Sequence, residues 1–174
     1  MNPTSSPLIL RLPPSTNSFV VGIAEAQVVS ADDLPRITDQ LAEIGSGERL
    51  PPELASWLEP QIKIAVELAN SQYFKFDLRF LFEDGQPVLG EVGSESISLP
   101  SLDAENSTRK LTVFLPFGTT ASPIARIVFP TLDGKSRDLV PGQVYMFPSF
   151  LAHEISPEYP FTALIGHALG NAFK

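Results

Sequence analysis

The 174-residue chain has no cysteine and only two histidines, His153 and His167. Without cysteine there can be no disulfide, no thiolate nucleophile and no Cys-based zinc or iron–sulfur site. Two imidazoles nearly exclude any site that needs several. Positive charge is also scarce: 12 Lys and Arg against 20 Asp and Glu leave a formal net charge of −8. A field of that sign repels phosphate backbones and anionic lipid, so neither nucleic acid nor a membrane surface is an expected partner. No stretch approaches the ~18 consecutive apolar residues of a spanning helix. The N-terminus has no basic segment followed by an apolar run and a cleavage site. These absences predict a soluble, cytoplasmic protein.

What is present suits one globular domain: 43% hydrophobic and 18% charged residues in a chain long enough to bury a core. Residues 1–18 carry Pro3, Pro7, Pro13 and Pro14 among Ser, Thr and Asn and read as an extended lead-in to a single domain over 19–174. Phe19–Val29 is rich in Val and Ile and reads as a strand. Ser30-Ala-Asp-Asp33 offers a capping box for a helix over about 31–45, stopped by Gly45. Leu54, Leu58, Ile62, Ala65, Val66 and Ala69 place a second helix over about 53–70, kinked or restarted at Pro60.

From Phe74 the period changes to two. Phe74, Phe76, Leu78, Phe80 and Phe82 alternate with Lys75, Asp77 and Arg79, which predicts a half-buried core strand with Asp84-Gly85 as its turn. Further strands are expected at 88–92, 110–117, 124–129, 143–147 and 161–169. Helices followed by short strands with turn residues between them predict an α+β chain ending in a β-sandwich or barrel.

Two segments carry more specific information. One is Arg109-Lys-Leu-Thr-Val-Phe-Leu-Pro-Phe117, a strand that begins shortly after Asp103. The other runs from Pro141-Gly142 through Phe147-Pro-Ser149 to His153, where a turn, a strand and a loop deliver the histidine at the start of the next strand. Together they resemble the iron(II)/2-oxoglutarate oxygenases, in particular the prolyl-4-hydroxylase-like branch. Ala69-Asn70 leading into Phe74–Leu78 is similar to that family's entry from helix to strand. The resemblance covers about residues 53–170. It implies a double-stranded β-helix, a jelly-roll of the cupin kind, with the N-terminal helices packed on one sheet.

The resemblance also implies a site. Two histidines and a carboxylate would hold Fe(II) and leave positions for 2-oxoglutarate and O₂. Carried over residue by residue, the carboxylate falls on Asp103 and the distal histidine on His153, the candidate metal and catalytic pair. The proximal histidine position is held by Ser101, a feeble ligand. The family's cation for the far carboxylate of 2-oxoglutarate, about nine or ten residues after the distal histidine, falls on Thr162 or Ala163, both neutral.

Arg126 is the candidate replacement cation if the face it shares with Ile124 and Val128 looks into the barrel. Of Arg109 and Lys110, one must point outward. Glu91 and Glu95 are further acid or base candidates. His167 lies on the opposite strand face from Thr162, Leu164, Gly166 and Ala168, and reads as structural or surface.

Two departures from the pattern favour a divergent protein of this fold. It is expected to bind a small molecule or peptide in the barrel mouth, as a non-redox enzyme or a binding protein, and to use neither Fe(II) nor 2-oxoglutarate in the standard mode. One alternative is a working Fe(II)/2-oxoglutarate dioxygenase with an unusual metal site at Asp103 and His153. The other is a scaffold or interaction protein whose barrel is filled by Phe147, Phe150 and Phe161.

Overall fold

Leu34, Ile37 and Leu41 recur at three and four residues and are all buried, giving helix α1 (Leu34–Ala42) one apolar stripe. The computed structural model describes residues 8–12, 22–82, 87–93, 97–99, 108–132 and 135–171. Ser30 and Asp33 meet one turn before the helix, with one of the two capping-box bonds formed. The Ser30 hydroxyl donates to the Asp33 carboxylate at 2.8 Å, and the Asp33 N–H donates back to Ser30 Oγ at 3.2 Å. α1 is therefore shorter than the expected 31–45. Helix α2 (Pro52–Ala69) buries the six residues named from the sequence and runs unbroken through Pro60.

The expected strand over 74–82 is mostly something else. Asn70–Phe74 is a turn of π-helix, and Lys75 follows with φ 60°. The Asn70 side chain stops the helix: its Oδ1 accepts the Phe76 N–H and its Nδ2 donates to the Phe76 carbonyl, both at 2.8 Å. This local satisfaction of the backbone outweighs the period-two pattern. Only Leu78–Phe80 is strand. Phe74 and Phe82 are buried as expected. The Asp84-Gly85 turn lies outside the described residues.

The strands in chain order are β1 (Leu10–Arg11), β2 (Ala24–Gln27), β3 (Leu78–Phe80), β4 (Val88–Val92), β5 (Ile97–Leu99), β6 (Arg109–Pro116), β7 (Ala125–Phe129), β8 (Lys135–Leu139), β9 (Gln143–Pro148), β10 (His153–Pro157) and β11 (Phe161–Gly170). β1 lies within the expected lead-in, and β5 and β8 have no counterpart in the sequence reading. The larger sheet has the order β1-β2-β9-β6-β11, with β3 and β4 both on the far edge of β11. The smaller sheet has the order β5-β10-β7-β8, and every pairing in both sheets is antiparallel. From β4 to β11 the chain winds back and forth between the sheets, which makes a double-stranded β-helix.

Strand alternation sorts the core into two layers. Leu111, Val113 and Leu115 of β6, Val144 and Met146 of β9, and Leu164 and Ala168 of β11 pack against the helices. Phe114, Tyr145, Phe147, Phe161 and Ala163 face the smaller sheet and meet Ala125, Ile127, Phe129, Leu139 and Ile155. Pro141-Gly142 makes the turn into β9. The Gln143 N–H donates to the Val140 carbonyl at 3.3 Å and Gly142 has φ 84°, the type II pattern with Pro then Gly. The Gly142 carbonyl accepts the N–H groups of Val28 and Val29 at 2.9 and 3.0 Å, tying the start of β9 to the strand beside it.

Candidate functional site

The turn after β9 and the first residue of β10 present the histidine that the sequence singles out. The Ser149 N–H donates to the Lys110 carbonyl at 3.0 Å and the Leu151 N–H to the Pro148 carbonyl at 3.1 Å, so the turn is anchored to β6. His153 opens β10 opposite Leu99, the last residue of β5. Its side chain is on the inner face with Ile155, and the residue is 4% exposed. The ring meets Phe147 edge-on at 4.8 Å and Phe129 at 6.3 Å.

The chemistry of His153 follows from its one hydrogen bond among the described residues, between Nδ1 and the Leu151 carbonyl at 3.0 Å. A carbonyl can only accept, so Nδ1 carries the proton and Nε2 carries the lone pair. Burial holds the imidazole below its ordinary pKa, against a smaller opposing pull from the carbonyl, and the ring is neutral near pH 7. A neutral imidazole fixed at Nδ1 can act as a base or donate to a metal at Nε2.

The alternation of β11 reverses one expectation. Phe161, Ala163 and Ile165 pack on the barrel side, so the inner face is the one that carries His167. Thr162 is half-buried on the face of Leu164, which looks at the helices. His167 stands opposite Thr112 of β6, and Thr112 stands opposite Phe147 of β9. Thr112 Oγ1 donates to Ser149 Oγ at 3.2 Å. The other barrel-facing residue at this end of β6 is Lys110, 4% exposed, while Arg109 is half-buried. Burial lowers the Lys110 pKa, and the Asp77 carboxylate partly restores it.

The other candidates separate. Arg126 is on the outer face of the smaller sheet, its side chain 61% exposed, where Nε meets Asp138 Oδ1 at 3.2 Å. The condition for its serving as the replacement cation is not met: Ile127, the next residue, points inward, and Arg126 is a solvated strand residue. Glu91 is exposed. Asp103, Ser101 and Glu95 lie outside the described residues. Among the described residues, no three His, Cys, Asp or Glu side chains come together as a metal-binding group.

The barrel end at His153 therefore gathers both histidines with Thr112, Ser149 and Lys110. Sequence reasoning passed over Thr112 and Ser149. The signal was the run Leu111, Val113, Leu115, which fixes the helix side of β6 and so assigns Lys110, Thr112 and Phe114 to the barrel.

No protein family profile matches this chain, and no curated protein does. Solved structures do. The chain is similar to a Pseudomonas putida prolyl-4-hydroxylase at 15% identity, over 88% of this chain and 89% of that one, with a TM-score of 0.59. It is similar to the viral collagen prolyl hydroxylase of Paramecium Bursaria Chlorella virus-1 in its 2-oxoglutarate complex, at 12% identity over 86% and 96% of the two chains, TM-score 0.57. A truncated form of that viral enzyme gives 10% identity over 92% and 97%, TM-score 0.63. The fold is that of the 2-oxoglutarate oxygenases, as the two sequence segments had implied. Among the described residues, no helix is long and apolar enough to cross a membrane.

Iron and 2-oxoglutarate are what a fold of this kind implies, and the residues that the sequence resemblance puts at the corresponding positions do not fit them in the standard way. His153 offers one imidazole nitrogen, Ser101 would supply a neutral hydroxyl in place of a second, and Ala163 offers no charge to a carboxylate.

Proposed function

We propose that the His153 end of the barrel receives a small molecule or short peptide, and that the protein works without the standard iron and 2-oxoglutarate cycle. The observation that carries this reading is Ala163. It sits fully buried on the barrel side of β11, in the apolar packing that includes Phe161 and Phe114, whose rings meet edge-on at 6.3 Å. A carboxylate placed there would lose its water and gain no cation, a cost of several kcal/mol by order of magnitude (about 2–7 even for a neutral polar group). The deep half of the barrel is thus closed to an acid, and the polar groups stand at the other end. There His153 Nε2 would hold a proton or a ligand atom, while Thr112, Ser149 and Lys110 would orient hydroxyl or acidic groups.

Two measurements test the reading. Anaerobic titration with Fe(II) and 2-oxoglutarate is expected to give no charge-transfer absorption and no succinate; either one overturns it in favour of a working dioxygenase. In chelator-treated protein, a thermal-shift panel of small carboxylic acids and tripeptides is expected to contain stabilising members whose effect His153→Ala removes. A panel flat for the wild type would favour a scaffold with a filled barrel, for which Phe147 and Phe161 are buried and Phe150 half-buried against the same cluster.

A further inference from the structure

The helix-facing side of the larger sheet carries a concavity, across that sheet from His153. Helix α2 and the segment 76–82 enclose a groove of about 1390 Å³, above the ~300–1,000 Å³ typical of small-molecule pockets. Its floor is apolar, made by Val66, Phe82 and Leu169. Its rims are charged, and the charges do not cancel evenly. Lys63 Nζ lies 4.0 Å from Glu67 Oε1 on one rim, and Arg79 Nε lies 4.0 Å from Asp77 Oδ2 on the other. Glu59, half-buried on the α2 wall, has no ion pair or hydrogen bond among the described residues.

A second acceptor stands one turn earlier. Pro60 has no N–H, so the Ser56 carbonyl, four residues before it, lacks the usual i+4 donor. Ser56 lines the same wall. Facing it, β3 pairs only with β11, and no strand covers its other edge among the described residues. Among the described residues the groove therefore combines an apolar floor, a strand edge with no second neighbour and the carboxylate of Glu59, which has no partner. Those are the requirements of an extended chain bearing a positive side chain.

We propose that this groove docks an extended, basic segment of a partner protein, which adds along β3 and sets a lysine or arginine against Glu59. The net charge of −8 draws such a partner in. Nothing in the barrel enters the proposal, so it stands or falls apart from the function assigned to His153.

The test uses the full chain and a fluorescein-labelled Val-Lys-Val-Lys-Val peptide, read by anisotropy at about 150 mM salt. Saturable binding is expected, weakened about tenfold by Glu59→Gln. Ala55→Arg sets a cation four residues before Glu59 on the groove wall and is expected to weaken binding to a similar degree. Circular dichroism confirms that each variant is folded. The proposal is overturned by absence of saturable binding, by a Glu59→Gln affinity equal to wild type, or by equal binding of Val-Glu-Val-Glu-Val. It is also overturned if exposed Glu43→Gln costs as much, which would mean bulk attraction. Competition by free lysine at peptide concentrations would replace the docked segment with a small-cation site.

Discussion

At the scale of single residues, His153 is the position where environment most changes chemistry. Its pKa is lowered by burial, so the unfolded chain takes up a proton near pH 6.5 while the folded one does not. The unfolded state then binds more protons as the pH falls. Stability from the neutral ring is complete above about pH 6.5 and is lost below it, with a slope of at most about 1.4 kcal/mol per pH unit. Urea midpoints measured from pH 7.5 to 5 should therefore fall more steeply for the wild type than for His153→Gln. Parallel curves would mean that the ring titrates normally. His153 was legible because it sits in a recognisable run from Pro141. His167 was misread because face assignment needs to know which side of β11 the helices cover, and Gly166 and Ala168 are too small to declare it.

At the scale of elements, the Pro141-Gly142 turn shows how one backbone position fixes several strands. A Cβ on Gly142 would lie 2.6 Å from the Val29 carbonyl oxygen, and φ 84° is already unfavourable for any other residue. Gly142→Ala is expected to cost about 1–3 kcal/mol, read as a thermal midpoint lowered by about 2–4 °C for each kcal/mol in a chain of this size. An unchanged midpoint would show that the turn relaxes freely. α2 and the strands from β6 onward were legible because their apolar periods span many residues. β5 and β8 were not: Lys135-Ser-Arg-Asp-Leu139 has one apolar residue and becomes a strand by pairing with β7 at the sheet edge. The segment after α2 shows the opposite error, where a good alternating pattern yields to the two hydrogen bonds of Asn70.

At the scale of the whole molecule, two apolar layers hold the sheets and helices together, and the proposed function predicts a thermal midpoint indifferent to metal. Chelator treatment should leave it unchanged. Adding Fe(II) with 2-oxoglutarate under argon should not raise it, whereas a ligand present at 100 times its Kd would stabilise the fold by about 2.7 kcal/mol. A rise of several degrees would mean that the chain binds the pair after all. The architecture was readable from two short segments because a double-stranded β-helix repeats its strand order around one barrel. The fate of the site was not, since it turns on which face of a strand looks inward.

That both histidines belong to the inner face of one barrel has a practical consequence. In a proton–carbon correlation spectrum, the imidazole region of this protein holds signals from two rings alone, a buried one on the smaller sheet and a half-buried one on the larger. Any molecule that enters between the sheets, or any slackening of the barrel, will register there first. The scarcity of histidine makes the interior directly observable in solution without a label or a substitution.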